Sequence, residues 1–370
     1  MNRRSRESGS PASFSQRIIT WQATHGRHDL PWQNTRDAYR IWLSEVMLQQ
    51  TQVTTVLPYY LRFTESFPDV RALAAAPIER VLEHWSGLGY YRRAHHLHEA
   101  ARAVVARHGG AFPASAATLA TLPGIGRSTA AAIAAFASGE RGAILDGNVK
   151  RVLSRHAGID GFPGEPRVAA KLWDVAHARL PDRHIERYTQ GMMDLGATVC
   201  LRTRPRCDVC PVAEDCVARA THRTQVLPTP RPRKELPQRA VRLLVLEREG
   251  RILFEQRPPV GIWGGLLSLP ELALDEDVDD ALRSRFALTG RASRALPMLR
   301  HGFTHFGLTL HPQWIEVDQA PQAGEPRGTW LTRDAALSAA LPAPIKRVLR
   351  GLGPAARGMT VPSISIRPRR

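Results

Sequence analysis

Cysteine is almost absent from this chain of 370 residues: four cysteines occur, and all of them lie between positions 200 and 216. Long apolar stretches are absent too, since no run of about 18 uninterrupted apolar residues could form a membrane-spanning helix. The opening residues, MNRRSRESGS, are polar and basic, and no apolar signal-peptide core follows them. These absences predict a cytoplasmic protein without a membrane partner, in which a disulfide framework is the weaker explanation of the cysteines.

Lysine is scarce as well, because only four of the 51 Lys and Arg residues are lysine. The net charge is nevertheless +17 and the isoelectric point is near 10.9. Such a balance is typical of a protein with a polyanionic partner such as nucleic acid. An excess of arginine can also come from a genome rich in G and C, so the charge supports a nucleic-acid partner without deciding it.

The pattern of periodic segments predicts a multidomain protein. Residues 1–222 carry Ala-rich helical runs such as STAAAIAAFAS, separated by Gly and Pro. Four prolines then mark a Pro/Arg-rich linker over 223–238. In 239–355, AVRLLVLEREGRILFEQR and FTHFGLTLHPQWIEV each predict two strands, while DEDVDDALRSRF and APIKRVLRGL predict helices. We therefore expect an all-α domain, an α+β domain and a loose basic tail over 356–370.

The cysteines follow the spacing C-x6-C-x2-C-x5-C, at Cys200, Cys207, Cys210 and Cys216. Four thiolates this close can converge on a tetrahedral zinc ion or on an iron–sulfur cube. Zinc sites usually pair two C-x2-C knuckles or add histidines, so the single knuckle favours iron–sulfur and leaves zinc as the alternative. At the end of a helical domain, this spacing resembles the cluster loop of the endonuclease III superfamily of base-excision DNA glycosylases. The resemblance implies a [4Fe–4S] cluster that braces a DNA-facing loop.

A glycine-rich turn, LPGIGRSTA, precedes an Ala-rich helix. Gly124 and Gly126 allow a tight turn, after which the N–H groups of the helix start can face a phosphate. An ordinary connection between helices is the alternative for such a turn taken alone. Beside the cysteine motif, it resembles the helix-hairpin-helix of the same superfamily, which binds DNA without reading its sequence.

Two carboxyl groups stand in unusual surroundings. Asp146 ends an apolar run in GAILDGNVKRVL and precedes a helix for which Asn148 is available as N-cap, although Asp146 can itself be only a cap. A helix N-terminus favours an ionised carboxylate. Glu45 interrupts the apolar string IWLSEVMLQQTQV; on an exposed helix stripe it would be ordinary, but burial would keep it protonated. The string from Trp42 to Val53 closely resembles that of the A/G-specific adenine DNA glycosylases.

That resemblance implies a reaction. Adenine leaves poorly as an anion, so a proton from Glu45 to a ring nitrogen accompanies cleavage of the glycosidic bond, and Asp146 stabilises the sugar cation. Relatives with lyase activity carry a lysine in the helix after the hairpin, where this chain has Ser128. Lys150 is the nearby amine. We therefore expect a monofunctional glycosylase with at most weak lyase activity.

Further residues resemble positions of this family that contact DNA. The adenine pocket would be lined by Trp32, Gln33 and Gln190, the family more often having Arg at the position of Gln33. The flipped-out adenine leaves an estranged partner base. The segments around Gln49-Gln50 and GLGYYRRA would contact that base through Gln50, Leu88, Gly89 and Tyr90. Ser128 and Asn148 are also expected at the DNA interface.

The second domain resembles the Nudix-like recognition module of the same glycosylases, including GIWGGLLSLP and HGFTHFGL. It lacks the glutamate-rich helix with which Nudix hydrolases bind magnesium, so we expect no diphosphate hydrolysis. The resemblance implies that Phe303, Thr304 and His305 form the loop that senses 8-oxoguanine.

The leading hypothesis is a monomeric, bacterial, nucleoid-associated enzyme that removes adenine opposite 8-oxoguanine or guanine in double-stranded DNA. An endonuclease III-like glycosylase and lyase acting on oxidised pyrimidines is the second hypothesis, and Glu45, Ser128 and the second domain argue against it. The third is a DNA-binding or electron-transfer protein that uses the cluster without catalysis.

Overall fold

The computed structural model describes residues 12–232, 235–259, 261–319 and 328–352. In these ranges the chain forms two compact units: the first contains residues up to 76 and from 92 to 232, and the second contains 77–91 and the residues from 235 onward. Across the described ranges, no helix has the length and apolar character needed to cross a membrane.

The first unit is helical. The helices in chain order are α1 (Phe14–His25), α2 (Ala38–Leu48), α3 (Val53–Ser66), α4 (Val70–Ala75), α5 (Ile78–Trp85), α6 (Arg92–His108), α7 (Ala116–Leu119), α8 (Arg127–Ser138), α9 (Gly147–His156), α10 (Pro166–Ala178), α11 (Ile185–Asp194) and α12 (Val217–Ala220). Of these, α5 belongs to the second unit. A π-helical turn, Leu195–Val199, follows α11, and a 3-10 turn, Cys207–Val209, lies between two of the cysteines.

Small side chains bring α8 into the middle of this unit. The residues from Ala130 to Ala135 are all buried, and alanine combines high helix propensity with a short side chain. Apolar side chains of α1, α9 and α11, among them Ile18, Leu153 and Tyr188, share one core cluster with α8. The resulting core supports the helices whose ends and faces carry the predicted catalytic residues.

Arg93 ties the end of α2 to α6. Its buried guanidinium donates to the carbonyl oxygens of Val46 (2.8 Å) and Met47 (2.7 Å) and to the hydroxyl of Thr51 (3.0 Å). The last carbonyls of a helix have no partner within it, so a cation here satisfies them and also suits the negative end of the helix dipole. This contact holds the turn that contains Gln50.

The second unit is built on a mixed sheet. Its strands are β1 (Gln238–Arg248), β2 (Arg251–Gln256), β3 (Leu267–Ser268), β4 (Glu271–Leu272), β5 (Leu288–Ala295), β6 (Leu299–Gly302), β7 (Gly307–Gln319) and β8 (Thr329–Thr332), and its further helices are α13 (Val278–Phe286), α14 (Arg333–Ser338) and α15 (Ala343–Gly351). The strand order is β3-β2-β1-β7-β5, with β4 on β1, β6 on β7 and β8 on β2.

The centre of the sheet is the parallel pair β1 and β7, in register from Gln238–Gly307 to Glu247–Glu316. Leu244, Leu246, Ile315 and Val317 from these strands are buried against α13. One covered face is what alternating apolar residues predict for such a sheet.

The predicted fold class is confirmed: a helical unit and an α+β unit are present. The hairpin β1–β2 turns at Glu249-Gly250, as expected. The second predicted strand pair differs in its limits, because FTHF forms the turn between β6 and β7, and β7 then continues through the whole of GLTLHPQWIEV. Its long register with β1 explains why the strand does not break there.

The predicted domain limits stay a prediction, although contacts in the predicted linker bear on them. Arg223 pairs with Asp160, and the Thr229 hydroxyl accepts from the Gly161 N–H at 3.0 Å, so this part of 223–238 packs on the helical unit. The predicted tail, 356–370, lies outside the described residues.

Candidate functional site

A cavity of about 680 Å³ opens in the helical unit, beside one face of α2. Ile41, Ser44, Glu45 and Leu48 from this helix line it. Residues three, four and seven positions apart share a helix face, so the apolar string found in the sequence places Glu45 in the cavity wall.

The other walls bring together the residues predicted for the adenine pocket. Trp32 and Gln33 line the cavity from the segment before α2, and Gln190 lines it from α11. Trp32 is 8% exposed and packs edge-to-face on Tyr60, with ring centroids 5.0 Å apart. Three segments distant in sequence therefore meet Glu45 around one cavity.

Burial raises the pKa of Glu45 to about 8, and the neighbouring Asp146 contributes to the same rise. The Glu45 carboxyl makes no hydrogen bond or ion pair within the described ranges. An unpaired charge in such surroundings is costly, so the neutral acid is favoured at pH 7. Glu45 is thus a proton donor facing an open cavity.

Asp146 is the N-cap of α9, and its Oδ1 accepts from the Val149 N–H at 2.7 Å. Burial raises the pKa of Asp146, while the N–H groups of Val149 and Asn148 and the cations Arg151 and Lys150 lower it. Since Glu45 has no comparable donor or cation, the shared proton belongs on Glu45 and the charge on Asp146. The expectation of Asn148 as the N-cap was wrong, because α9 begins one residue earlier, at Gly147.

Ser128 supports the same carboxylate from α8. Its hydroxyl accepts from the Leu145 N–H at 2.9 Å, and Leu145 directly precedes Asp146. The side chain at the position where lyase relatives carry an amine is therefore occupied in holding the backbone that leads to Asp146.

Arg151 connects the start of α9 to the cysteine loop. It donates to Asn148 Oδ1 at 2.8 Å, to the Gly196 carbonyl at 2.7 Å and to the Cys200 carbonyl at 2.7 Å. A Cβ on Gly196 would lie 2.6 Å from that of Asn148, so only glycine allows this close approach. The turn that carries Asp146 is thereby fixed to the first cysteine.

The predicted hairpin has an open helix start. Gly124 has φ +73°, a left-handed conformation that favours glycine, and Gly126 is the N-cap of α8 with no side-chain cap. The free N–H groups at the start of a helix form an anion site. The hairpin therefore has the backbone geometry that a phosphate contact requires.

The residues predicted to contact the opposite base lie in strained turns. Gln50, in the helical unit, is exposed and has φ +57°. In the second unit, Gly89 has φ +79°, and Tyr90 has φ +49° with 47% of its surface exposed, whereas Leu88 is only 5% exposed. Strained backbone at exposed polar or aromatic residues is typical of functional sites. Core packing is therefore not the role of Tyr90.

The four cysteines line one small cavity of about 30 Å³, and all of them are free thiols. No group of three His, Cys, Asp or Glu side chains in a metal-holding arrangement occurs in the described ranges. Burial, with smaller contributions from the other thiols, raises the pKa of Cys210 to about 11. Arg155, 2% exposed, donates to Cys200 Sγ at 3.3 Å and to the Leu201 and Leu227 carbonyls.

In the second unit, the loop 303–306 is closed by the Phe303 N–H donating to the Phe306 carbonyl at 2.9 Å. Its base is an aromatic cluster, in which Phe303 stacks on Phe306 with centroids 4.7 Å apart and contacts Trp263 at 5.6 Å. Thr304 and His305 are exposed, with Thr304 Oγ1 3.4 Å from His305 Nδ1. The two polar side chains therefore stand on an aromatic support.

Sequence reasoning missed a set of buried or half-buried charged residues that position the site: Arg27, Arg93, Arg151, Arg155 and Asp194. Arg151 and Arg155 are four positions apart on α9, a spacing that places two cations on one helix face. Charged residues inside otherwise apolar helical segments were the available signal. Their partners are mostly backbone carbonyls, which no sequence pattern indicates.

Two family models match the chain. The model of the HhH-GPD superfamily base excision DNA repair protein matches residues 43–178, a range that includes Glu45, the hairpin and Asp146. The NUDIX domain model matches residues 241–351.

The chain is also similar to complete proteins. The adenine DNA glycosylase of Buchnera aphidicola is 32% identical, and the match covers 91% of this chain and 96% of that protein. The adenine DNA glycosylase of Mus musculus is 35% identical, with 91% of this chain and 77% of that protein covered. The solved structure of a thermostable thymine-DNA glycosylase superposes with a TM-score of 0.52 at 29% identity, covering 56% of this chain and 95% of that one.

The raised pKa of Glu45 predicts how the free energy of unfolding depends on pH. Between pH 4.5 and about 8, the folded protein keeps a Glu45 proton that the unfolded chain releases, so stability falls as the pH rises. In Glu45→Gln this contribution is absent. We expect the stability of wild type relative to that variant to fall by up to ~1.4 kcal/mol per pH unit in this window, measured by urea unfolding. A difference independent of pH would contradict the buried, protonated state.

Proposed function

The chain belongs to the adenine DNA glycosylases, and from this premise we propose that it removes adenine paired with 8-oxoguanine, or with guanine, from duplex DNA. The observation that carries the proposal is the protonated Glu45 in the wall of the cavity, beside the charged cap Asp146. A bacterial enzyme of this kind works as a monomer on the chromosome, in the cytoplasm.

Glu45 and Asp146 divide the chemistry between them. Glu45 donates its proton to a ring nitrogen of the adenine, which the family protonates at N7, so that the base leaves in a neutral form. The bond from the sugar to the base breaks with both electrons going to the base. Asp146 supplies the negative charge beside the sugar cation that forms. Once deprotonated, Glu45 accepts a proton from the attacking water.

The product is an abasic site with an intact strand. A lyase step needs an amine that attacks the sugar, and at the relevant position Ser128 holds the Leu145 N–H instead. Lys150 lies on α9, four residues after Asp146, and interacts electrostatically with that carboxylate. We infer monofunctional hydrolysis, with at most weak lyase activity through Lys150.

Duplex binding uses elements that do not read the sequence. The open N-terminus of α8, after Gly124 and Gly126, suits a backbone phosphate. Removing the adenine from the stack leaves its partner base exposed. The strained turns that carry Gln50 and Tyr90 are our candidates for contacting that base, and Leu88 has to leave its buried position to join them.

We propose that the cysteines hold a [4Fe–4S] cluster. All four thiols face one cavity, and Arg155 adds a cationic donor at Cys200 Sγ. Raised thiol pKa values mean that thiolates form here only with a compensating cation, and the iron of a cluster supplies it. Cys200, Cys207, Cys210 and Cys216 would be the ligands. The cluster would stiffen the loop that carries Arg202, Arg204 and Arg206, which is placed by its charge to bind phosphates.

Recognition of 8-oxoguanine is assigned to the loop 303–306. The oxidised base differs from guanine by an N7–H donor and a C8 carbonyl acceptor. The hydroxyl of Thr304 and the imidazole of His305 offer both an acceptor and a donor. Their exposure on an aromatic support is the observation behind this assignment.

The excision chemistry is tested with Glu45→Gln and Asp146→Asn. Each keeps the side-chain shape while removing the transferable proton or the counter-charge, so single-turnover release of adenine opposite 8-oxoguanine should fall at least ~100-fold while duplex binding survives. Glu65→Gln, on an exposed part of α3, is the matched control. Near-normal excision by either variant would mean that the chemistry lies elsewhere, and strand cleavage without alkali would contradict the monofunctional assignment.

The metal centre is tested by iron, sulfide and zinc analysis of anaerobically purified protein. We expect about four irons per chain and broad absorbance near ~400 nm, as for cysteine-ligated iron–sulfur centres. Cys207→Ser should lose both, while Arg204→Gln, which changes only the charge of the same loop, should keep them. A colourless protein with one zinc per chain would replace the cluster by the alternative that the spacing leaves open.

The recognition loop is tested with the double variant Thr304→Ala/His305→Ala. Lost hydrogen bonds to one base edge are worth ~1–3 kcal/mol, so excision opposite 8-oxoguanine should slow by about tenfold to a hundredfold and excision opposite guanine much less. Thr329→Ala/His311→Ala makes the same two changes elsewhere in the sheet and serves as the control. Equal slowing on both duplexes would assign the loop a structural role.

A further inference from the structure

Asp194, at the end of α11, is a fully buried carboxylate with a fixed set of donors. Arg27 reaches it through Nε at 2.7 Å, through Nη2 at 2.6 Å and through its backbone N–H at 3.0 Å, and the Asp194 side chain is 0% exposed. The Nε2 of Gln190 also donates to it, at 2.9 Å. A carboxylate paired with arginine accepts hydrogen bonds and donates none.

This contact determines which way the Gln190 amide points. Because Asp194 is acceptor-only, the amide nitrogen has to face it, and the amide oxygen is turned away. Gln190 lines the cavity, and no hydrogen bond to its Oε1 is formed in the described part of the chain. The cavity therefore receives an acceptor at this position.

Gln33 is held in the opposite sense. Its Oε1 accepts from the Leu30 N–H at 3.2 Å, and its Nε2 is buried without a hydrogen-bond partner among the described residues. Gln33 lines the same cavity. A buried donor without a partner is costly, so this nitrogen is available to a ligand. The two amides thus present one acceptor and one donor.

A purine with an amino group at C6 is complementary to this pair. The 6-amino group donates and the adjacent N1 accepts, whereas in a 6-oxopurine the oxygen accepts and N1–H donates. We propose that Asp194, kept ionised by Arg27, is a positioning residue that makes the pocket select a 6-aminopurine over a 6-oxopurine. The proposal rests on the proposed function, since it concerns the base that Glu45 protonates.

Hypoxanthine opposite 8-oxoguanine is the probe, because it differs from adenine at C6 and N1 alone. The measured quantity is the ratio of single-turnover excision rates, adenine over hypoxanthine, on otherwise identical duplexes. A site built to pair with a polar group strongly rejects an analogue of opposite polarity. We expect wild type to favour adenine by at least ~100-fold.

In Asp194→Asn the new amide can also donate, so the Gln190 amide can turn, and the ratio should fall at least ~10-fold. Arg27→Met removes the charge that keeps the buried carboxylate ionised and should narrow the ratio as well, while Arg27→Lys keeps that charge and should retain most of it. Arg27→Met also carries the test if Asp194→Asn does not fold. Asp160→Asn, which breaks an exposed ion pair with Arg223, is the control with an unchanged ratio.

The outcomes separate this inference from the function beneath it. Wild type that excises neither base opposite 8-oxoguanine contradicts the proposed function. Wild type that excises both at similar rates contradicts the selection. Variants that slow excision of both bases equally, so that the ratio stays within about threefold of wild type, give Asp194 a structural role only and overturn the proposal.

Discussion

Two neighbouring carboxyl groups must hold different protonation states, and the helical unit is organised around this constraint. Glu45 is enclosed by the apolar residues of α2 and has no cation or donor of its own among the described residues, which favours its proton. Asp146 caps α9, where backbone N–H groups and Arg151 favour its charge. A proton donor and an anion can therefore coexist at neutral pH, which N-glycosidic cleavage with a poor leaving group requires.

Buried arginines transmit this arrangement through the unit. Arg93 joins the end of α2 to α6, and Arg151 and Arg155 join α9 to the cysteine loop through backbone carbonyls. Each forms several charge-assisted hydrogen bonds, so the guanidinium is satisfied although it is largely removed from water. The cluster loop is in this way mechanically continuous with the turn that carries Asp146, which gives a structural reason for a metal centre that takes no part in the chemistry.

The second unit separates support from recognition in a similar manner. The sheet centred on β1 and β7 carries the aromatic cluster of Phe303 and Phe306, and the exposed Thr304 and His305 stand on it. Polar side chains on rigid support lose little conformational freedom when they bind. A Nudix-like sheet without the glutamates of a hydrolase can thus serve as a base-reading surface.

The amino-acid sequence by itself determined the features whose parts lie within one short segment: the four-cysteine loop, the Gly124–Gly126 hairpin, the acid in the apolar string of α2 and the hairpin of β1 and β2. It did not determine that β7 runs on through His311, because that depends on register with a distant strand. Nor did it show that Asp146 rather than Asn148 caps α9. Only the tertiary structure decided the protonation of Glu45 and the opposed amides of Gln33 and Gln190, because burial and hydrogen-bond polarity depend on partners brought from distant segments of the chain.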